Sequence, residues 1–579
     1  MTLSPYGPTE LAFLQANSNA YEWLIDKIVP LNATYDREVT LRQVVSAAAF
    51  AARCHTGRFA DGFIENIALE IGSNCIKTEL RTHNFSRSKP KKSLRHVLHV
   101  TRLVDRVGGH TRMLYHWLQN DNSSCHSVVL LDQLDPIPRW FSDAVLSRGG
   151  FLVQLQAGVP LISKAAELAA IVKQNVDLVV LHHFPYDVVP TVAFAVNDCP
   201  PVTILNHADH TFWLGSSVAD MVINLRTAGA DHTARRRFIP CNTVLPIPLL
   251  DEPRLESRAD AREALGIPEN QIVLLSVGRA EKYQPSGKFD FVSTVSKILD
   301  HEKNAHLYVV GVSETGIKPF LRTAIHDRLH FVGSLEDPSR YRNIADVYLE
   351  SFPYGSTTAL LEAALSGLPV VPAYTPLFPL LVGSADSLSD LLPNPNSEQD
   401  YIKRALFLIG RPDEREELGQ TLRSRLLADH VGEGWRNRLE HLYTETDRLE
   451  HAPGPIPMTS CLFTSEDIGL SMWNVYSGGQ TLCSDRADDQ RRALLVHIAV
   501  VSKQVGQFTK ARQVAWRAVQ ENPYRLALWL LVIKAMLGRS SPAIRYALDR
   551  CKIFLIKIVR PFLVQKRSNG STYNSSSSR

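Results

Sequence analysis

The chain has 579 residues, of which 45% are hydrophobic and 21% charged, and a net charge of +4. That size predicts a globular protein of about three or four domains, and so mild a positive balance gives no footing for nucleic acid as a partner. The eight cysteines include no CxxC pair, which argues against a zinc site or a dense disulfide framework; with no signal-peptide pattern at the start and no apolar run of about 18 residues, a cytoplasmic protein without a transmembrane segment is expected.

Residues 1–80 read as an α-helical domain, because Leu41–Cys54 and Phe59–Ile71 carry apolar residues at helical spacing. The Gly57-Arg58-Phe59 joint between them resembles a tetratricopeptide hairpin. The basic stretch 81–95, RTHNFSRSKPKKSLR, reads as a solvated linker, with a phosphate or membrane contact as the other reading. From His96 the pattern changes. HVLHVTRL is followed by a Gly-Gly-His-Thr-Arg turn and a helix over Met113–Leu118. Apolar runs of about five residues then recur at Ser127–Asp132, Phe151–Gln154, Val176–His182, Pro201–Asn206, Ala219–Asn224 and Phe238–Pro240, with a helix over Ser163–Gln174. Strands that alternate with helices in this way predict a parallel, doubly wound sheet over 96–247.

A charged stretch, Asp251–Asn270, with a short helix at Asp260–Leu265, opens a second such domain over 248–450. Its strands are expected at Gln271–Val277, His306–Val310, Leu329–Val332, Val347–Leu349 and Pro369–Ala373. Its helices are expected at Phe289–Asp300, Ile317–Asp327, Pro338–Ile344, Ala359–Leu365, Glu398–Ile409, Pro412–Leu427 and Gly434–Leu449. A Pro/Gly/Ser-punctuated linker covers 451–480. Over 481–567, Gly506, Phe508, Ala511, Ala515, Ala518 and Pro523 fall at tetratricopeptide-like spacings, which suits a helical cap or a peptide-binding groove. Within it, KIFLIKIVRPFLVQKR reads as a packed terminal helix or as a weak peripheral membrane contact. The Ser/Asn-rich tail 568–579 is expected to be disordered.

Two tandem Rossmann-like sheets leave a cleft between them, and ligands in such sheets bind at the carboxyl ends of the strands. Gly355, Ser356, Thr357 and Thr358 sit where a helix begins, so free N–H groups and hydroxyls would meet there. This is a ready anion site for a phosphate or diphosphate, or else an ordinary capped helix. Arg279 and Lys282 follow the first strand of the same sheet and approach the same spot, as binding and neutralising a diphosphate requires. Glu362, one turn after Thr358, can accept ribose hydroxyls, and Gly333 allows close approach to a base. On the first domain Gly108 and Gly109 clear the backbone, and His110 is the candidate general base. His182, His183, His207 and His210 lie at other strand ends. The NHADH run, Asn206–His210, is a weak metal pattern, so no metal site is expected.

VGRAEK and LLEAALSGLPVV resemble the nucleotide-sugar half of the two-Rossmann (GT-B) retaining glycosyltransferases, although their Glu-x7-Glu motif would need Glu where Tyr354 stands. ESFPYGSTTALLEA is more similar to the O-linked N-acetylglucosamine transferases and the bacterial cytoplasmic N-glucosyltransferases. The resemblance implies transfer of a sugar from a nucleotide diphosphate-sugar to a glycan, lipid or protein acceptor, with no cofactor or essential metal. Arg279 or Lys282 with Thr357 and Thr358 would hold the diphosphate, Glu362 the ribose, and the first domain the acceptor. A nucleotide-sugar epimerase on the same double fold and a helical-repeat scaffold with an inactive core are the competing readings.

Overall fold

The computed structural model describes residues 8–26, 28, 36–82, 94–106, 108–156, 158–173, 175–182, 184–253, 256–285, 289–318, 321–352, 355–374, 386–458 and 462–474, with scattered positions between 512 and 533. Residues 1–483 form one compact unit and 484–579 a second. The expected tetratricopeptide-like helices, the terminal amphipathic segment and the tail lie largely or wholly outside the described residues, as does most of the basic linker.

Seven strands build the first sheet: β1 (Arg95–Thr101), β2 (Ser124–Leu130), β3 (Leu152–Gln154), β4 (Leu178–His182), β5 (Val202–Asn206), β6 (Met221–Asn224) and β7 (Asn242–Val244). All pair in parallel, in the order β3-β2-β1-β4-β5-β6-β7. Residues Leu178–His182 and Val202–Asn206 are buried throughout, as strands covered on both faces must be. The order reverses between β1 and β4, so the loops after these two strands diverge and leave a crevice at their carboxyl ends. The helix Gly109–Asn120 starts at that crevice.

The second sheet holds β8 (Ile272–Val277), β9 (Ala305–Val310), β10 (Val312–Ser313), β11 (Leu329–Gly333), β12 (Val347–Leu349) and β13 (Val370–Val371), in the order β10-β11-β9-β8-β12-β13. Only the short edge strand β10 is antiparallel. Here the reversal falls between β8 and β12, so the loops at Gly278–Tyr283 and Glu350–Ser356 are neighbours. The tandem Rossmann-like architecture expected from the alternation is the observed one.

Two expected elements differ. The strand at Phe238–Pro240 is absent; Phe238 has φ of +63°, which an extended strand does not admit, and the strand forms at Asn242–Val244 instead. The helix expected over Ile317–Asp327 covers only Glu314–Ile317. Pro319 has no N–H to bond the Thr315 carbonyl, and none of residues 321–327 is helical. The helices Arg139–Ser147 and Val189–Ala193 and the strand β10 had no clear signal in the pattern.

The helix Gly432–Thr446 leaves the second domain and packs on the first. Trp435 is fully buried and donates from Nε1 to the Pro246 carbonyl at 2.8 Å, and its ring meets Trp117 edge to face at 5.7 Å. One apolar core runs from Val97, Trp117 and Leu178 through Leu245 to Val273, Leu275 and Leu361. The amino-terminal helices Arg37–Arg53 and Gly62–Thr82 pack on the first sheet domain. Buried Glu65 accepts the backbone N–H of Gly215 at 2.6 Å and the Ser217 hydroxyl at 2.7 Å. Among the described residues no helix is long and apolar enough to cross a membrane.

Candidate active site

The second switch point assembles around Lys282. The segment after β8 turns at Gly278 into a short 3-10 helix, Ala280–Lys282. A side chain at residue 278 would crowd this corner: a Cβ there would lie 2.9 Å from the Ser356 hydroxyl and 3.1 Å from the Tyr283 hydroxyl. That close approach lets Lys282 Nζ donate to the Gly355 carbonyl. Arg279 is exposed. The helix Thr357–Leu365 starts beside this cation with Ser356 as its N-cap, and the Ser356 hydroxyl does not cap its first N–H groups. Positive charge and the N–H groups of a helix start thus share one corner.

Beneath the corner lies Glu350, which is buried and accepts from the Ser356 backbone N–H. Burial pushes its carboxyl up to about 7, against the opposing pull of Lys282 and the Ser356 N–H. Its second oxygen, Oε2, has no hydrogen-bond partner among the described residues. Glu350 was visible as the acid that opens ESFPYG, but its burial was not, because a strand-end acid in sequence reads as solvated.

The two loops expected to face one another do so. A Cβ on Gly109 would stand 3.4 Å from Thr358 Oγ1. Gly108 is the exposed, extended N-cap of its helix. His110 is accessible in the cleft, yet protein surrounds it on most sides; burial and the facing Arg279 push its imidazole down to about 4. Its ring stacks on His207 with centroids 4.2 Å apart and planes 26° apart. His182 lies behind His207, with Nδ1 3.3 Å from His207 Nε2. His210 sits aside, 3.5 Å from Asp209, whose carboxylate is paired with Arg226 at 2.7 Å.

Glu362 is not an open carboxylate. Arg342 donates to it at 2.9 Å and Arg112, from the first domain, reaches both oxygens at 3.4 Å. Trp140 adds a second link between the sheets by donating to Glu336 at 3.1 Å. Gly333 ends β11 at φ +94°, with open space where a side chain would be. Thr357 is half-buried at the helix start. His183, Lys288 and Tyr354 lie outside the described residues.

Residues 271–411 match the family model of the glycosyl transferases group 1. The second sheet domain is a glycosyltransferase domain. A search of curated proteins gives no match. Among solved structures, the chain is similar to an O-GlcNAc transferase mutant from Thermobaculum terrenum, with 16% identity over 75% of this chain and 82% of that one and a TM-score of 0.45. It is also similar to the sucrose-phosphate synthase of Thermosynechococcus elongatus, with 17% identity over 61% and 98% and a TM-score of 0.45. A third is the HepE protein of Anabaena solved with UDP, at 13% identity over 60% and 100% and a TM-score of 0.45. Together with the tandem sheets, the glycosyltransferase domain makes this a GT-B type enzyme whose chemistry is glycosyl transfer.

Proposed function

We propose that the protein moves a sugar from a nucleotide diphosphate donor, a uridine nucleotide by preference, to a hydroxyl or amide of a glycan, lipid or protein in the cytoplasm, without a metal. The observation that carries the reading is the convergence of Lys282, Arg279 and the N-terminus of Thr357–Leu365 at the second switch point, across the cleft from His110. A diphosphate seated there accepts from the helix N–H groups and from the hydroxyls of Thr357 and Thr358. The two cations stabilise it as it leaves, the part a divalent ion plays elsewhere. Glu362 keeps acceptor capacity for ribose hydroxyls while it holds Arg342, since a carboxylate offers about four lone pairs. The nucleobase lies toward Gly333.

The acceptor enters over Gly108 and Gly109, and its proton passes to one ring of the stacked pair His110 and His207. His110, held neutral at physiological pH, has its lone pair available. The test is purified protein with UDP-sugars and EDTA, read for UDP release. Released UDP supports transfer. A new sugar nucleotide without UDP would mark an epimerase, and an unchanged donor would mark an inactive scaffold.

A further inference from the structure

Glu350 lies under the diphosphate corner and has so far been given no part in it. It follows β12 directly and is 3% exposed. Its backbone is held from two sides: its N–H donates to the Val371 carbonyl at 3.0 Å, and the Tyr401 hydroxyl donates to its carbonyl at 3.0 Å. On the side chain, Oε1 accepts from the Ser356 N–H and, at 3.4 Å, from the Ser351 hydroxyl. A Cβ on Gly355 would stand 3.3 Å from the same oxygen. The turn that opens the helix Thr357–Leu365 is therefore wrapped on this carboxyl. Oε2, equally buried, has no hydrogen-bond partner among the described residues.

An ionised carboxylate in such a place needs a counter-charge or donors at both oxygens. Donors reach only one. Three phenols pack around it: Tyr283 from the loop after β8, Tyr348 from β12 and Tyr401 from the helix Glu398–Gly410. Burial pushes all three up, so they stay neutral. Among the described residues, Lys282 is the charged side chain that bears on Glu350. Burial pushes the carboxyl up and Lys282 pulls it back, which leaves it at about 7. The proton on Glu350 is thus balanced against one ammonium.

That ammonium is also the one the donor would use. Lys282 then serves two anions, Glu350 beneath it and the diphosphate above. Arg279, which is exposed, offsets part of the new charge from the solvent side. Glu350, on the buried side, shares the pull of Lys282 and gains a like-charged neighbour. Both changes favour its acid form.

We infer that a nucleotide diphosphate enters the Lys282 corner together with a proton, which the Glu350 carboxyl takes from solvent. The inference rests on the transfer reading above, since it takes this corner as the diphosphate seat. Uptake turns a carboxylate into a carboxylic acid, and no other bond forms or breaks. Oε1 still accepts from the Ser356 N–H, because a neutral acid keeps acceptor capacity, so the helix start stays in place. Oε2 takes the hydrogen, and a neutral hydroxyl without a partner costs less than an ionised oxygen without one. The ligated protein holds this proton to a higher pH than the free protein does. Between the two values binding takes up a proton, and affinity falls as pH rises.

The experiment is isothermal titration calorimetry of the full-length protein with UDP at about pH 8, in two buffers of different ionisation enthalpy, which counts the protons exchanged. At that pH free Glu350 is mostly ionised, and His110, at about 4, stays neutral. The terminal phosphate of UDP is ionised too, and the cations of the corner keep it so. The expected result is uptake of about half a proton or more per UDP bound. Glu350→Gln keeps an oxygen for the Ser356 N–H and cannot titrate, so it should take up none. The ratio of wild-type to variant affinity should fall at least about fourfold between about pH 7 and about pH 8.5. Other titrating groups cancel in that ratio, and a Glu350 that only shapes the turn would leave it constant. Should the variant fail to fold, the wild-type proton count decides by itself. UDP bound by wild type without proton uptake, or a ratio that does not vary with pH, overturns the inference and leaves the transfer reading standing. No UDP binding anywhere between about pH 6.5 and about pH 8.5 would overturn the transfer reading, and the inference with it.

Discussion

In the proposed reading, Lys282 is the residue on which donor binding turns. It sits where the β8 loop meets the β12 loop, and its Nζ already donates to the Gly355 carbonyl. A bond to a charged partner contributes on the order of 1.5–3 kcal/mol, so Lys282→Ala should weaken donor binding or turnover at least tenfold. Calorimetric titration with UDP checks it, and an unchanged affinity with unchanged turnover would remove Lys282 from the site. Glu350 below it makes a separate, substrate-free prediction. Its folded value of about 7 lies above the ordinary carboxyl range. Between that range and about 7, the folded protein holds a proton that the unfolded chain has released, so stability falls as pH rises through the window. Glu350→Gln carries no such proton. Urea denaturation at about pH 5 and about pH 8 should show the variant gaining on wild type by on the order of 1–3 kcal/mol. Parallel pH curves would mean that Glu350 is not perturbed.

At the scale of elements, the two switch-point loops are the proposed site, and their legibility was uneven. Gly355 to Thr358 and Gly108 to His110 were readable because turn residues between an apolar run and a helix mark a strand-to-helix loop, and strand order then sets two such loops face to face. The approach of His182 to His207 was not readable. The two align only through the register of β4 and β5, and register between parallel strands has no local signal. Glu362 was readable as a helix acid, but its pairing with Arg342 and Arg112 depends on how two other helices, Ser339–Ile344 and Gly109–Asn120, pack beside it. The helix expected over Ile317–Asp327 ignored Pro319. Gly109 gives this scale its test. A Cβ there would already touch Thr358 Oγ1 at 3.4 Å, so the added methyls of Gly109→Val should hold the loops apart and lower turnover at least tenfold while UDP affinity changes less than threefold. A variant with wild-type turnover would show that the loops need not meet.

For the whole molecule, the question is what holds the two sheets together. Arg112 reaches Glu362 at 3.4 Å with a third of its side chain exposed, and such pairs contribute about 0–1 kcal/mol. Trp435, fully buried against Trp117 and bonded to the Pro246 carbonyl, belongs to a core shared by both sheets, and truncating a buried aromatic costs about 3–5 kcal/mol. Arg112→Ala should therefore leave the denaturation midpoint nearly unchanged, and Trp435→Ala should lower it strongly. The reverse ranking would mean that the cleft is closed by ion pairs rather than by the returning helix Gly432–Thr446.

The most direct measurement of the central claim is UDP release by the full-length protein from a panel of UDP-sugars in EDTA, with the sugar nucleotides followed by NMR. The account predicts that UDP is liberated from at least one donor, that EDTA does not abolish release, and that Lys282→Ala lowers the rate at least tenfold. Donors recovered intact, a different sugar nucleotide formed without UDP, or release that appears only when a divalent cation is restored would contradict it.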